Sequence, residues 1–139
     1  MITKELIGEN TYYYEEKFKL INEGKLTFNI CAFLFTGLWL VYRKLYLEFT
    51  AFFLLTVANY ALFAFIGYDG FASEIIPLAL YVAGGLFGNN LYKNHLEKIA
   101  ARYPGDNSKG GVNLPATIAV IVFALALRVF AHLTGNFIP

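Results

Sequence analysis

The sequence predicts an all-α protein: a polytopic membrane helical bundle with three spanning helices, a short re-entrant or interfacial hydrophobic segment and an N-terminal amphipathic helix. Two observations predict this fold. Of the 139 residues, 58% are apolar and 15% are charged, against about 25% charged in an ordinary soluble domain. The charges are also clustered, because only five fall between residues 26 and 92. A chain of this length forms a single domain, and a soluble domain could not cover so much apolar sequence with so few charges.

The composition excludes several classes of protein. The formal net charge of +1 leaves no basic excess for binding nucleic acid, which needs clustered Lys and Arg side chains to displace counterions. Cys31 is the single cysteine, so no disulfide framework is expected. The first 25 residues are polar, and the first apolar run starts at Phe28. We therefore expect no N-terminal signal peptide and insertion driven by internal spans.

Residues 1–25 form a polar head that contains one short amphipathic helix over 11–23. Tyr14, Phe18 and Ile21 recur at helical spacing and share one face of this helix. One alternative is that this face lies on the membrane surface or docks a partner. The other is that it covers the body of the same protein.

The segment 28–46 enters the membrane to a depth that the sequence leaves open. Its first 15 residues, 28–42, carry no charge, but as a helix they reach only about 22 Å, short of the roughly 30 Å hydrocarbon core. Gly37 lies in the middle, where a helix breaks easily. The segment therefore either re-enters on one side or belongs to a tilted span that continues past Arg43 and Lys44.

Three later runs are long enough to cross a bilayer as helices. The first two runs, residues 49–68 and 75–92, contain 20 and 18 residues and no charged side chain. The third run, 114–134, contains about 21 residues. Pro77 is expected in the first turn of the second span, where its missing N–H does little harm. The loop 93–113 joins the second and third spans.

Lys and Arg side chains in the short loops predict the orientation, because positive charge stays on the cytoplasmic side. Basic residues occur at Arg43 and through the loop 93–113, whereas the loop 69–74 has none. We therefore expect the loop 93–113 to be cytoplasmic and the C-terminus to be outside. The head is cytoplasmic if 28–42 re-enters, which we favour, and outside if 28–42 spans.

Polar and aromatic side chains gather in two blocks at the predicted cytoplasmic edge of the membrane. They form the candidate lipid or partner interface: Tyr42, Arg43, Lys44, Tyr46, Asn89, Tyr92, His95 and Lys98. Such residues are typical of an ordinary anchor at the membrane interface. The more specific alternative is a binding site for anionic lipid headgroups. His95 lacks the companions that catalysis or metal binding needs, because the other histidine, His132, is predicted on the opposite side. We therefore expect no catalytic residues, no metal site and no cofactor.

The two blocks, 28–46 and 88–99, are expected to contact each other. Asn29, Asn89 and Asn90 lie where an amide needs a partner, because an unpaired polar group in an apolar setting costs about 1–3 kcal/mol. Tyr42, Tyr46 and Tyr92 are the hydroxyls expected to satisfy and cover these amides.

Gly84 and Gly88 form a GxxxG pattern, which lets two helix backbones approach closely in a membrane. The default expectation is that another segment of the same chain packs on this face. The alternative is another copy of the protein.

Arg128 is the one charge well inside a predicted span, and an ionisable residue at membrane depth is a candidate functional site. It lies about 21 Å along the helix that starts near Leu114, and so near its outer end. His132 lies one turn further out, and the acids on that side are Asp69 and Glu74. We expect Arg128 to pair with one of these acids, Glu74 preferred, either as a structural clamp or as an outward-opening gate or anion site.

Two sequence blocks carry a resemblance to a known family. The first is FNxxAFLFxxLWLxYRKxY, here residues 28–46, and the second is NxxYxxHxxK, here residues 89–98. They resemble a family of small bacterial inner-membrane proteins catalogued only as a domain of unknown function. Many relatives have Trp after the Asn and Pro after the Gly, where this chain has Ile30 and Leu38. The resemblance implies a bacterial inner-membrane location and no known activity.

The expected role is that of a small non-enzymatic membrane protein, of uncharacterised molecular activity, that interacts with or regulates other membrane components through its cytoplasmic face. Its expected partners are the lipid bilayer, including anionic headgroups, and either another membrane protein or a second copy of itself. The alternative role is a small oligomeric transporter or channel subunit. That role needs polar residues along a midplane path, which Thr56, Asn59 and Arg128 approach.

Overall fold

Helices form every regular element in the part of the chain that the computed structural model describes, residues 2–68 and 70–133, so the all-α prediction is confirmed. In chain order the α-helices are α1 (Lys4–Ile7), α2 (Thr11–Asn22), α3 (Ile30–Leu34), α4 (Thr36–Tyr42), α5 (Tyr46–Phe65), α6 (Ala72–Arg102) and α7 (Leu114–Leu133). A short 3-10 helix, Asn107–Lys109, lies between α6 and α7.

Three of these helices, α5, α6 and α7, are long and apolar enough to cross a membrane. The second predicted span, 75–92, lies within a longer helix, because α6 has 31 residues and extends about 46 Å, beyond the roughly 30 Å of a hydrocarbon core. Charged residues begin after residue 92, where the predicted span ends. The helix continues because its last three turns pack against the head, where Leu96 is fully buried.

Pro77 lies inside α6 rather than in its first turn, because the helix starts earlier than predicted. Without an N–H, Pro77 cannot bond the carbonyl of Ser73, four residues before it. Asn59, the one buried residue of α5, donates its amide Nδ2 to this carbonyl over 2.7 Å. The Asn59 side chain therefore satisfies the acceptor that the proline leaves free, and it joins α5 to α6.

The apolar residues 28–42 fold into two short helices, α3 and α4, that meet at Phe35. They contain 5 and 7 residues, so each is far shorter than a membrane span. The break falls at Phe35, where φ is −133° and ψ is 41°, and not at Gly37 as the sequence suggested.

The path of this segment along α6 turns back on itself. At its start, the Asn29 N–H donates to the Gly85 carbonyl over 2.8 Å. At the middle, Thr36 lies against Gly84. At its end, Arg43 contacts Tyr92, two turns further along α6. This path places the head and the start of α5 at the same end of the bundle.

The glycines of α6 allow this segment to lie directly on the helix. A Cβ atom at Gly84 would come within 2.7 Å of Thr36 Oγ1 and 2.9 Å of the Ala32 carbonyl oxygen. At Gly88 it would come within 2.9 Å of the Ala32 Cβ atom. The GxxxG face is therefore occupied by the same chain, as the default expectation had it.

Replacing Gly84 with alanine is expected to lower the free energy of unfolding by about 1–3 kcal/mol, because the new methyl group overpacks a backbone carbonyl that cannot move aside. Unfolding in detergent micelles, followed by the fluorescence of Trp39, measures the change. Gly37→Ala is the matched control, since its nearest atom belongs to the ring of Phe52 at 3.1 Å, which can rotate away. Equal effects of the two substitutions would contradict the close packing at Gly84.

The head packs on the last turns of α6. Tyr14 and Phe18 of α2 are buried, and Ile21 is half-buried beside them. Their neighbours in this core include Tyr92 and Leu96 of α6. The apolar face of the amphipathic helix therefore covers the body of the same protein, which was one of the two alternatives.

The loop after α6 returns to the same end of the bundle. Its Gly111 N–H donates to the Leu6 carbonyl over 2.8 Å, and its Asn113 N–H donates to the Tyr42 carbonyl over 2.8 Å. From there α7 packs on α4, where Thr117 is buried. Beyond this contact, residues 121–130 of α7 are all exposed.

Candidate functional site

Arg43 lies buried at the junction between the head and the bundle, with 2% of its surface exposed. Three tyrosine rings surround its guanidinium group. The guanidinium carbon lies 4.5 Å from the ring centre of Tyr14, 5.0 Å from that of Tyr92 and 5.3 Å from that of Tyr42. Such cation–π contacts are strongest where water is excluded. We call these four residues the arginine junction.

The arginine junction bonds the head through backbone carbonyls. Arg43 donates from Nη1 and Nη2 to the Glu9 carbonyl, each over 3.2 Å, and from Nη1 to the Ile7 carbonyl over 3.4 Å. The Tyr92 hydroxyl also donates to the Ile7 carbonyl, over 2.9 Å. Among the described residues Arg43 forms no ion pair with a carboxylate, and its Nε has no hydrogen-bond partner. Carbonyl dipoles and aromatic faces therefore replace a counterion.

A second buried polar group, the amide network, lies deeper along α6. Asn29 donates from Nδ2 to the Asn89 side-chain oxygen over 2.9 Å, and Asn89 donates to the Thr27 hydroxyl over 3.1 Å. Asn89 also donates to the Tyr13 hydroxyl over 3.4 Å. Burial raises the pKa of Tyr13, although the hydrogen bond from Asn89 opposes the rise. The side-chain oxygen of Asn29 accepts from the Ala32 N–H, which starts α3.

The expected contact between the two blocks is therefore present, with different partners from those predicted. The asparagines bond mainly to each other and to Thr27, whereas the tyrosines reach elsewhere. Tyr42 donates to the Glu9 carboxylate over 2.7 Å, and Tyr46 accepts from the Asn113 amide over 2.6 Å. Spacing along the chain did not indicate these pairings, because each joins residues far apart in sequence.

Burial divides the eight candidate interface residues into three groups. Arg43, Asn89 and Tyr92 are buried, so their polar groups are used within the chain. Tyr46 and Lys98 are exposed and remain on the surface. The other three, Tyr42, Lys44 and His95, are half-buried.

Lys44 and His95 illustrate how the half-buried positions are used. Lys44 has a positive φ of 62°, and its ammonium group donates to the carbonyls of Ser108 and Gly110 over 2.9 Å and 2.6 Å. It therefore holds the loop after α6. His95 has a buried Nε2 without a hydrogen-bond partner. Among the described residues, no three His, Cys, Asp or Glu side chains come together in a group that could hold a metal ion.

Arg128 does not form the expected ion pair with Glu74. Its side chain is exposed on α7, and within the described residues the structure shows no bond between the two. Glu74 instead accepts from the Tyr60 hydroxyl over 3.4 Å. This ion pair does not form because α7 packs on α4 only near its start, whereas Arg128 lies toward its other end. Asp69, the other predicted acid, lies outside the described residues, and His132 is exposed one turn beyond Arg128.

An open cleft of about 570 Å³ lies where α2 meets the end of α6. Its floor is apolar and its rim is charged; the lining residues are Ile2, Ile7, Glu15, Phe18, Asn22, Lys93, Glu97, Ala100 and Ala101. On the rim, Lys93 and Glu97 form an ion pair of 2.6 Å. The sequence carried no signal for this cleft, because it forms only when the head docks on α6.

Most of the chain matches a known protein family. The model of the family described as "Protein of unknown function (DUF2628)" matches residues 3–98. This range contains the arginine junction, the amide network and α1 to α5. No curated protein and no solved structure matches the chain.

Proposed function

We propose that this chain, which belongs to the DUF2628 family of proteins of unknown function, is a non-enzymatic membrane protein. Its proposed role is to bind or regulate another membrane protein. In this proposal α5, α6 and α7 cross the inner membrane of a bacterium. The head, the start of α5 and the loop after α6 face the cytoplasm, since the basic loop residues gather at this end.

The cleft between α2 and α6 is the observation that carries the proposal. The arginine junction and the amide network fix the head on α6, so the walls of the cleft are held in place before any partner arrives. A preformed site binds more tightly, because less conformational entropy is lost on association. The apolar floor suits the apolar face of a short cytoplasmic segment, and the rim is of mixed charge, with Glu15 beside Glu97 and Lys93, which pair with each other.

Lipid contact is the second part of the proposal. The exposed Tyr46 and Lys98 lie at the head end of the bundle, where a tyrosine ring suits the interfacial layer and a lysine attracts anionic lipid headgroups. These contacts would orient the protein in the membrane and leave the cleft open to the cytoplasm.

Filling the cleft should release the partner. Ala101 is exposed at the edge of the cleft, so Ala101→Trp adds a large side chain there without disturbing the core. We expect at least a tenfold lower recovery of the partner when the tagged protein is purified in mild detergent and its companions are quantified by mass spectrometry.

Asn94→Trp is the matched control, because Asn94 is exposed on the same helix and does not line the cleft. It should leave recovery unchanged. The proposal fails if the protein purifies alone, with neither partner nor lipid, or if both variants recover every companion equally.

A small oligomeric transporter or channel subunit is the second candidate. It is favoured by the exposed faces of α5 and α7, which leave room for neighbouring subunits. The polar residues near the midplane support it less. Asn59 is committed to the Ser73 carbonyl, and Thr56 donates to the Phe52 carbonyl of its own helix.

A further inference from the structure

Arg128 is a cation on an exposed apolar helix. All residues from 121 to 130 of α7 are exposed, and among the described residues the Arg128 side chain makes no hydrogen bond, ion pair or ring contact. A charged side chain at membrane depth is costly and nearly always pairs or faces a polar partner. Within the described part of the chain no residue supplies this partner.

The depth of Arg128 matches that of an exposed acid. Asn113, just before α7, donates its amide to the Tyr46 hydroxyl over 2.6 Å, so α5 and α7 begin at the same level. Arg128 lies fourteen residues after the start of α7, and Tyr60 lies fourteen residues after the start of α5; each is about 21 Å along its helix. Tyr60 donates to the carboxylate of Glu74, which is exposed. Arg128 and Glu74 therefore lie at the same depth on surfaces that the chain leaves open.

We infer that two copies of this chain associate in the membrane through α7 of one and the outer end of α5 and α6 of the other, with Arg128 of each copy paired to Glu74 of its neighbour. A two-fold axis would generate two identical ion pairs in one closed interface. A pair at this depth is weakly screened by salt. The inference rests on the membrane insertion in the proposed function, but it does not depend on the cleft.

Charge exchange between two differently tagged copies tests this pairing. Arg128→Glu and Glu74→Arg, expressed singly, each place like charges at both contacts of a homodimer, so self-association should fall at least tenfold. When the two variants are expressed together, each contact again joins an acid and a base. Co-purification of the two tags should then return to the level of the unaltered protein.

The controls separate this arrangement from its competitors. If the pair forms within one chain, the mixture stays dissociated and the inference is overturned. If Asp69→Asn dissociates the copies and Glu74→Gln does not, Asp69 is the partner and the assignment to Glu74 is overturned. A monomeric unaltered protein in lipid nanodiscs also overturns it. Recovery of every variant in the membrane fraction, with unchanged Trp39 fluorescence, verifies insertion and folding; a protein absent from that fraction refutes the proposed membrane function itself.

Discussion

Replacing Arg43 with alanine is expected to free the head from the bundle and to lower the free energy of unfolding by about 3–5 kcal/mol. The change removes the donors to the part-buried Glu9 carbonyl and one of the two donors to the Ile7 carbonyl, and each lost hydrogen bond to a charged group is worth about 1.5–3 kcal/mol. It also leaves a cavity between the rings of Tyr14 and Tyr92, which adds a packing cost.

The single tryptophan of the chain, Trp39, reports this change. Its indole N–H donates to the Tyr14 hydroxyl over 3.3 Å, so release of α2 alters its fluorescence. Proteolysis of the head in detergent provides an independent measurement. Arg43→Lys should recover only part of the stability, because an ammonium group cannot reach the Ile7 and Glu9 carbonyls as a planar fork does.

Arg102→Ala is the matched control for Arg43→Ala. Arg102 is exposed at the end of α6 and lies over the ring of Tyr103, so its loss should change stability by less than about 0.5 kcal/mol. A head that remains protected from protease in Arg43→Ala would show that the arginine junction does not hold it in place.

Replacing Asn89 with leucine is expected to cost about 2–4 kcal/mol. Asn89 is fully buried, and the substitution removes the acceptor of Asn29 Nδ2 and the donor to Thr27. Two buried polar groups lose their partners at once, each at a cost of about 1–3 kcal/mol. The result should be that the segment 28–42 separates from α6, measured as faster hydrogen exchange over these residues.

The adjacent Asn90 provides the control, because it is exposed on another face of the same helix turn. Asn90→Leu makes the same chemical change without breaking the network and should be nearly neutral. If the two leucine variants exchange equally fast over 28–42, the amide network does not anchor the segment.

The helical fold class follows from the sequence alone, because it depends on local properties. Long apolar runs without charges can satisfy their backbone polar groups in a membrane only as helices or closed barrels, and their lengths of about 20 residues suit helices. The small side chains at Gly84 and Gly88 likewise indicate a close approach wherever a partner comes from. Length and composition therefore predicted α5, α6 and α7, and helical spacing predicted the amphipathic α2.

The tertiary structure decided how the polar residues are used. Arg43 lies in an apolar sequence block and has the spacing of an interfacial anchor, yet the head folds over it and removes it from water. Pro77 and Asn59 are unremarkable apart, and only the packing of α5 on α6 places the amide at the freed Ser73 carbonyl. Arg128 lies at the same depth as Glu74, its predicted partner, but the two side chains do not meet, because α7 packs on α4 at one end only. Each outcome depends on which segments pack against each other in the fold. The contacts that stabilise this packing join residues far apart in the chain, so no local sequence pattern encodes them.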